Sequence, residues 1–374
     1  MNQSSAIRIT VVVHKDLADE VQKLFTNLGV RYFSHELGRY PILKRNHIFL
    51  LNLYSSNQLY NLPVVIFQVL TDKKTEDFLF NKIIETADLT VPGHGSIYTE
   101  DISVFCPVAD SLVYRNPIKT KPMGFTGLTG IFCIIQRGAA DTMSHYILEN
   151  GVAVPTITYG VGRGLRDRLG LLRITIPKEK EIVKLIVHSS DAEHALDFII
   201  EAGKLDLPGK GFIFEYPIKR GLINTKISLD GPKQAASMEQ VISALDQLYG
   251  NIDWRRQFTN FRKGARKRSY FEGVNIHLNA KEGSVEKVLM KLSKLGISGA
   301  TISQDRLIKL DEENSLFNPA RDSANLLIPK KMLNEVIAEL EALDFFTEET
   351  EGIVYTMEIP RAFSYQSKHN QQKK

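Results

Sequence analysis

Two short glycine-bearing stretches carry the residue types best suited to chemistry. They read Pro92-Gly93-His94-Gly95 and Pro208-Gly209-Lys210-Gly211. Two glycines set two apart let the backbone approach a ligand closely and point successive N–H groups at an anion. A tight helix-to-strand turn also wants glycine, so phosphate binding and plain turn geometry both remain open. A second candidate is Tyr159-Gly160-Val161-Gly162-Arg163-Gly164, followed by Arg166, Arg168 and Arg173. Alternating glycines beside arginines suit an oxyanion. The stretch is not a dinucleotide fingerprint, because no crossover helix follows it. The alternative is a mobile, solvated hairpin loop. The corresponding stretch nearer the N-terminus, Gly38 to His47, is also basic, with Arg39, Lys44 and Arg45.

Other chemistries lack a foundation. Histidines such as His14, His35, His94 and His277 are scattered without metal-ligand spacing, and no Ser-His-Asp or Cys-His motif is evident. The expectation is a protein that is not an enzyme. The two cysteines, Cys106 and Cys133, exclude a disulfide scaffold and read as buried thiols. No apolar run approaches the roughly 20 residues of a membrane helix. The N-terminus has no signal-peptide core, so a cytoplasmic location is expected.

The elements that must position the glycine stretches emerge from internal similarity. Ile83 to Tyr98 aligns without a gap on Ile199 to Phe214, sharing I-I-E-x-x-x-L-x-x-P-G-x-G-x-I-aromatic. Duplication is the economical explanation. Upstream, apolar stripes at helical spacing end at Gly29 and Gly151. A fainter third copy has Val285, Val288, Leu289, Leu292 and Leu295 before Gly296. Each unit then reads strand, helix, strand, strand, helix, strand. This is the α+β ferredoxin-like order, whose exposed sheet face needs a cover that three copies offer one another. The third unit has Thr347 to Gly352 at the turn, where glutamates would repel phosphate.

Units are expected over 5–115, 125–222 and 269–363. Residues 111 to 126 form a connector, 223–268 a helical and basic linker, and 364–374 a disordered tail. The linker carries a basic run from Arg255 to Arg268, interleaved with Trp254, Phe258 and Phe261. It reads either as solvated linker or as a contact for nucleic acid or an acidic surface.

At this point the residues resemble the P-II nitrogen regulatory protein family, in its divergent P-II-like branch. The resemblance is carried by Leu205 to Ile218, with Gly162-Arg163-Gly164 and Lys178 to Val183 upstream. It implies three tandem P-II-like domains packed as an intramolecular pseudo-trimer, the chain being a monomer or low-order oligomer. It also implies a regulatory protein that binds an adenine nucleotide such as ATP, ADP or AMP, or another small anion, between domains. Gly93, His94, Gly95, Gly209, Lys210, Gly211, Gly162, Arg163 and Gly164 would contact the ligand. Arg166, Arg168, Arg173, Arg39, Lys44 and Arg45 would belong to effector loops that relay binding to a partner protein, a membrane transporter among the candidates. Nucleic acid is the disfavoured partner. The sequence departs from the family at Lys210 and His94, where an acid is usual, and at Phe212 and Ser96, where a base is usual. The arginine-rich segment after the last strand shrinks to Lys219-Arg220-Gly221. The competing class is a non-sensing adaptor with degenerate clefts.

Overall fold

The computed structural model describes residues 3–45, 57–163, 179–224, 248, 268–297, 300–310, 316–317 and 320–365. Their architecture is mixed, with helices packed on a β-sheet that closes on itself.

The first block runs β1 (Gln3–His14), α1 (Ala18–Asn27), β2 (Tyr32–Arg45), β3 (Asn57–Thr71), α2 (Glu76–Thr86) and β4 (Gly95–Phe105). Its strands lie in the order β4-β1-β3-β2, all antiparallel. A short helix α3 (Ala109–Leu112) and strand β5 (Val113–Tyr114) follow, the latter pairing in parallel with β3. Part of the expected connector is therefore built into the first block.

The next block contains β6 (Leu128–Gln136), α4 (Ala140–Glu149), β7 (Thr156–Arg163), β8 (Glu179–His188), α5 (Ala192–Ala202) and β9 (Gly211–Ile218). Its strand order is β9-β6-β8-β7. Strand β10 (Arg220–Asn224) then crosses to pair with β4 of the first block. The last block contains β11 (Phe271–Lys281), α6 (Ser284–Leu292), β12 (Ala300–Leu310), β13 (Leu316–Phe317), β14 (Ala320–Ile328), α7 (Leu333–Ala342) and β15 (Ile353–Ser364). Its order is β15-β11-β14-β12, with β13 pairing β12.

Period-2 alternation gives each strand two apolar faces, and both are used. One face meets the helices. In the first block Ile9, Val11, Val13, Val65 and Phe67 pack on Val21, Phe25, Leu79, Ile83 and Ile84. Separate clusters of the same kind stand under α4 and α5, and under α6 and α7. The opposite faces turn toward one another. Tyr98, Phe132, Ile182, Phe214, Tyr216, Met357 and Ile359 form one cluster drawn from all three blocks. Phe132 and Phe214 stack there with centroids 4.8 Å apart, a geometry contributing about 0.5–1.5 kcal/mol beyond burial. Edge strands seal the seams: β2 pairs β12 and touches β7, β7 pairs β12, and β15 pairs both β4 and β9.

A polar chamber of about 50 Å³ remains where the inner faces meet. Arg8, Glu36, Glu100, Lys184, His277 and Asp305 line it. That volume holds a few water molecules.

The fold corrects one expectation directly. Gly38 to Arg45 and Tyr159 to Arg163 are strand, not loop, within β2 and β7. Their backbone groups find partners on β3 and β8 and on neighbouring blocks, so pairing overrides their loop-like composition. The helical and basic linker expected over 223–268 lies outside the described residues, apart from Ile223 and Asn224 of β10, Leu248 and Arg268. Arg268 bonds Asp197 at 2.7 Å. The tail beyond Tyr365 also lies outside them.

Candidate functional site

The end of each block's second helix builds the same local geometry. Asp88, Lys204 and Asp344 take left-handed backbone angles, with φ of 47°, 52° and 54°. The next residue then donates back into the helix: Leu89 to Ile84, Leu205 to Ile200 and Phe345 to Leu340. The turn that follows delivers the chain to the strand beside β1, β6 or β11.

At the second glycine of each motif the reason for glycine is steric. A Cβ on Gly95 would lie 2.0 Å from the carbonyl oxygen of Val12, and one on Gly211 would lie 1.9 Å from that of Ile134. The close approach of first and last strands requires glycine there, whatever the turn binds. Gly93 and Gly209 have positive φ as well, 92° and 71°. The His94 ring nitrogen Nδ1 lies 3.2 Å from the Ala87 carbonyl oxygen, folding that side chain onto its own turn.

Surroundings distinguish the three turns. Beside the first, β10 lies along β4 with Asn224 opposite Gly95, and at the other end of the strand Lys219 and Arg220 are committed to the start of α2. Lys219 pairs with Glu76; Arg220 bonds Asp77 at 2.6 Å and stands over the Phe80 ring at 4.4 Å. Glu76 is buried and also accepts from Thr99 at 2.9 Å. The neighbouring void, lined by Val12, Ser96, Val154 and Thr156 among others, is about 20 Å³. Tyr40 reaches Ser96 across 3.3 Å, and burial pushes its hydroxyl up from the ordinary tyrosine range.

Beside the middle turn, Gln136 donates to the Gly209 carbonyl at 3.2 Å. Lys180 is the register partner of Gln136 on β8, at the strand end that leads from residues 164–178. The strand that supports the Lys210 turn is thus in register with a second lysine, part of the Lys178 to Val183 stretch but not among the candidate site residues. The third turn ends in Glu351, held by cations from three strands.

The other candidates separate into distinct places. Gly162 and Arg163 pair in register with Thr301 and Ala300 of β12, so they belong to a block-to-block seam. Gly164, Arg166, Arg168 and Arg173 lie outside the described residues. Arg45 ends β2, and Lys44 sits 5.7 Å from the Tyr60 ring centroid.

Arg39 lies within β2 and not in a loop. Its guanidinium bonds Asp141, Asn61 at 2.7 Å and Glu181 at 3.0 Å, with the Tyr159 ring 5.8 Å away. The other oxygen of Glu181 accepts the N–H groups of Gly138 and Ala140 at the start of α4, at 2.8 and 2.9 Å. Arg39 thus ties the first block to the second. Arg39→Ala is expected to cost about 2 kcal/mol, the scale of hydrogen bonds to charged groups, read as a lower urea midpoint. A change below a few tenths would show that the tie is solvated.

Burial pushes the Cys133 and Cys106 thiols up, and both are free. Among the described residues no group of three His, Cys, Asp or Glu side chains is arranged to hold a metal ion, and no helix is long and apolar enough to cross a membrane.

No protein-family model matches the chain, and no curated protein is similar to it. Among solved structures, 28% of the chain is similar to 91% of the B. subtilis GlnK chain, at 14% identity and a TM-score of 0.24. The same coverage holds for the B. subtilis GlnK–ATP complex, at 13% identity and a TM-score of 0.23. These are weak structural neighbours of the P-II type.

Proposed function

We propose that this chain is a P-II-like regulatory protein, three tandem P-II-like domains forming an intramolecular pseudo-trimer that binds a nucleotide or other small anion at a domain seam. The observation that carries the reading is the middle turn: Gly209-Lys210-Gly211 leads into β9, whose Phe212 pairs with Ser364 of the last block, and Lys180 is in register with Gln136, which holds the Gly209 carbonyl. The P-II resemblance of Leu205 to Ile218 suggests an adenine nucleotide, with backbone N–H groups and Lys210 meeting its phosphates. The arginine-rich residues 164–178, which lie outside the described residues between β7 and β8, would relay the bound state to a partner protein. A membrane transporter as partner follows from the same resemblance. The protein acts by binding and not by catalysis.

Titration calorimetry with ATP, ADP and AMP tests this. Saturable binding is expected, weakened about tenfold by Lys210→Ala, equivalent to roughly 1.4 kcal/mol. No heat and no thermal shift with any of them at millimolar concentration would sink the reading. The adaptor alternative draws support from the first seam, where β10 lies along β4 with Asn224 opposite Gly95. A null titration together with retained partner binding would favour it.

A further inference from the structure

The third turn carries a separate feature. Glu351 directly precedes Gly352, as His94 and Lys210 precede Gly95 and Gly211, but one residue farther from the helix end. Its backbone is left-handed, with φ 47°. Three cations from three strands converge on its carboxylate. Lys281 of β11 lies 3.3 Å from Oε1; Lys309 of β12 and Arg321 of β14, the latter at 3.0 Å, both meet Oε2. Arg321 is wholly buried and also donates to the Glu351 carbonyl and to Asn279. Lys281 donates to the Glu348 carbonyl at 2.9 Å as well.

Three positive charges facing one carboxylate leave an excess that a monoanion does not neutralise. Asp305 of β12 is the register partner of Arg321, whose charge reaches it, and Asn279 donates to its two oxygens at 3.0 and 2.9 Å; even with this second acid the three cations keep one positive charge in excess. A lysine–lysine–arginine set around two carboxylate oxygens has the donor geometry of an oxyanion site. Glu351 is about 30% exposed, so the pocket opens to solvent. The cluster also borders another block, since the charges of Arg321 and Lys309 reach the Cys106 thiol. Partial burial pushes the Glu351 carboxyl up, but hydrogen bonds and charge from Lys309 and Lys281 outweigh it and hold the group below its ordinary range. It is ionised at neutral pH.

We infer that Glu351 is a tethered anion filling a phosphate-class oxyanion pocket made by Lys281, Lys309 and Arg321, and that it keeps this seam closed to free oxyanions. The middle turn has no such carboxylate. This inference is independent of the nucleotide reading, because it concerns a different turn and a different probe.

The test compares wild type, Glu351→Ala, Glu351→Gln and the double variant Glu351→Ala/Lys309→Met. Thermal unfolding is followed in inorganic phosphate up to about 10 mM, against chloride at matched ionic strength, where ligand linkage raises the midpoint. Glu351→Ala is expected to melt several degrees below wild type in chloride and to recover at least half of that loss in phosphate. Wild type should respond to phosphate less than Glu351→Ala, whatever the middle turn itself contributes, since that turn is the same in both. Glu351→Gln, whose amide still fills the pocket, should lose stability but recover less. The double variant should lose the added phosphate response. Equal phosphate responses in wild type and Glu351→Ala would overturn the inference, as would an added response that survives Lys309→Met. Should Glu351→Ala fail to fold in chloride, refolding yield becomes the readout. A higher yield in phosphate supports the pocket, and equal yields overturn it.

Discussion

Glu100→Ala is expected to lower stability by about 3–5 kcal/mol, the cost of leaving a buried charge without its partner. Glu100 is 1% exposed on β4, and its Oε2 accepts from Arg8 Nε at 2.8 Å. Their strands are register partners, Arg8 opposite Glu100, so the pair forms wherever the first block forms. Both side chains face the central chamber, where Lys184 and His277 also stand. Removing the carboxylate would leave the guanidinium facing a second cation in a space with room for only a few waters. The double variant Arg8→Met/Glu100→Leu should recover most of the loss, since apolar side chains of similar volume replace a buried pair at little net cost. Urea unfolding of Arg8→Met, Glu100→Leu and the double variant closes the cycle. A loss under 1 kcal/mol for Glu100→Ala, or additive single and double effects, would mean that chamber water already solvates the pair.

The inner faces explain which parts of this protein local patterns reveal. Stripes at Leu79, Ile83 and Ile84 and at Leu196, Ile199 and Ile200 read as helices because each helix meets its own block's sheet, a contact close in sequence. The glycine turns were legible for the same reason: Gly95 and Gly211 answer to strands of their own block. The left-handed residues of the helix ends carry no such sign, because Asp88, Lys204 and Asp344 are not glycines. The inner polar residues read falsely. Ser34 and Glu36, or Asn275, His277 and Asn279, alternate with apolar neighbours as a solvent-facing edge would. They instead line or flank the chamber, because sheets from distant parts of the chain cover them. The same distance hides Arg39, whose partners Asp141 and Glu181 lie in another block, and the Glu351 cluster, whose cations are spread over β11, β12 and β14.

His277 and Asp305 form a matched pair in that chamber. Burial, with the nearby charge of Arg8 and Lys184, drives the imidazole from 6.5 down to about 3, against the pull of its Asn325 bond. Burial and the charge of Glu36 push the Asp305 carboxyl from 3.8 up to about 7, against Ser323, Arg321 and Asn279. Tyr355 stacks on His277 at 5.6 Å, and burial and the Asp305 charge raise its hydroxyl, so it stays neutral over this range. For the histidine, the folded value lies below the unfolded one. Its contribution is intact above about pH 6.5 and is lost as pH falls toward 3. For the aspartate, the folded value lies above the unfolded one. Its contribution is intact below about pH 3.8 and is lost as pH rises toward 7. Between about pH 4 and 6.5 the native state holds one proton on Asp305 while the unfolded chain holds one on the histidine. The two slopes cancel, so this pair makes no net demand on pH across that window. Single substitutions should expose each half. In His277→Gln, stability relative to wild type should rise as pH drops from 6.5 to 4. In Asp305→Asn it should fall over the same interval. Each change should reach at most about 3 kcal/mol, from 1.36 kcal/mol per pH for one proton, and chamber water would reduce it. Arg8, Lys184, Glu36, Glu100 and Arg321 are present in both variants, so the difference from wild type isolates the pair to first order. Guanidinium midpoints from pH 4 to 8 read the result. Variant curves that run parallel to wild type through the window would show that neither group is held away from its ordinary value by the chamber.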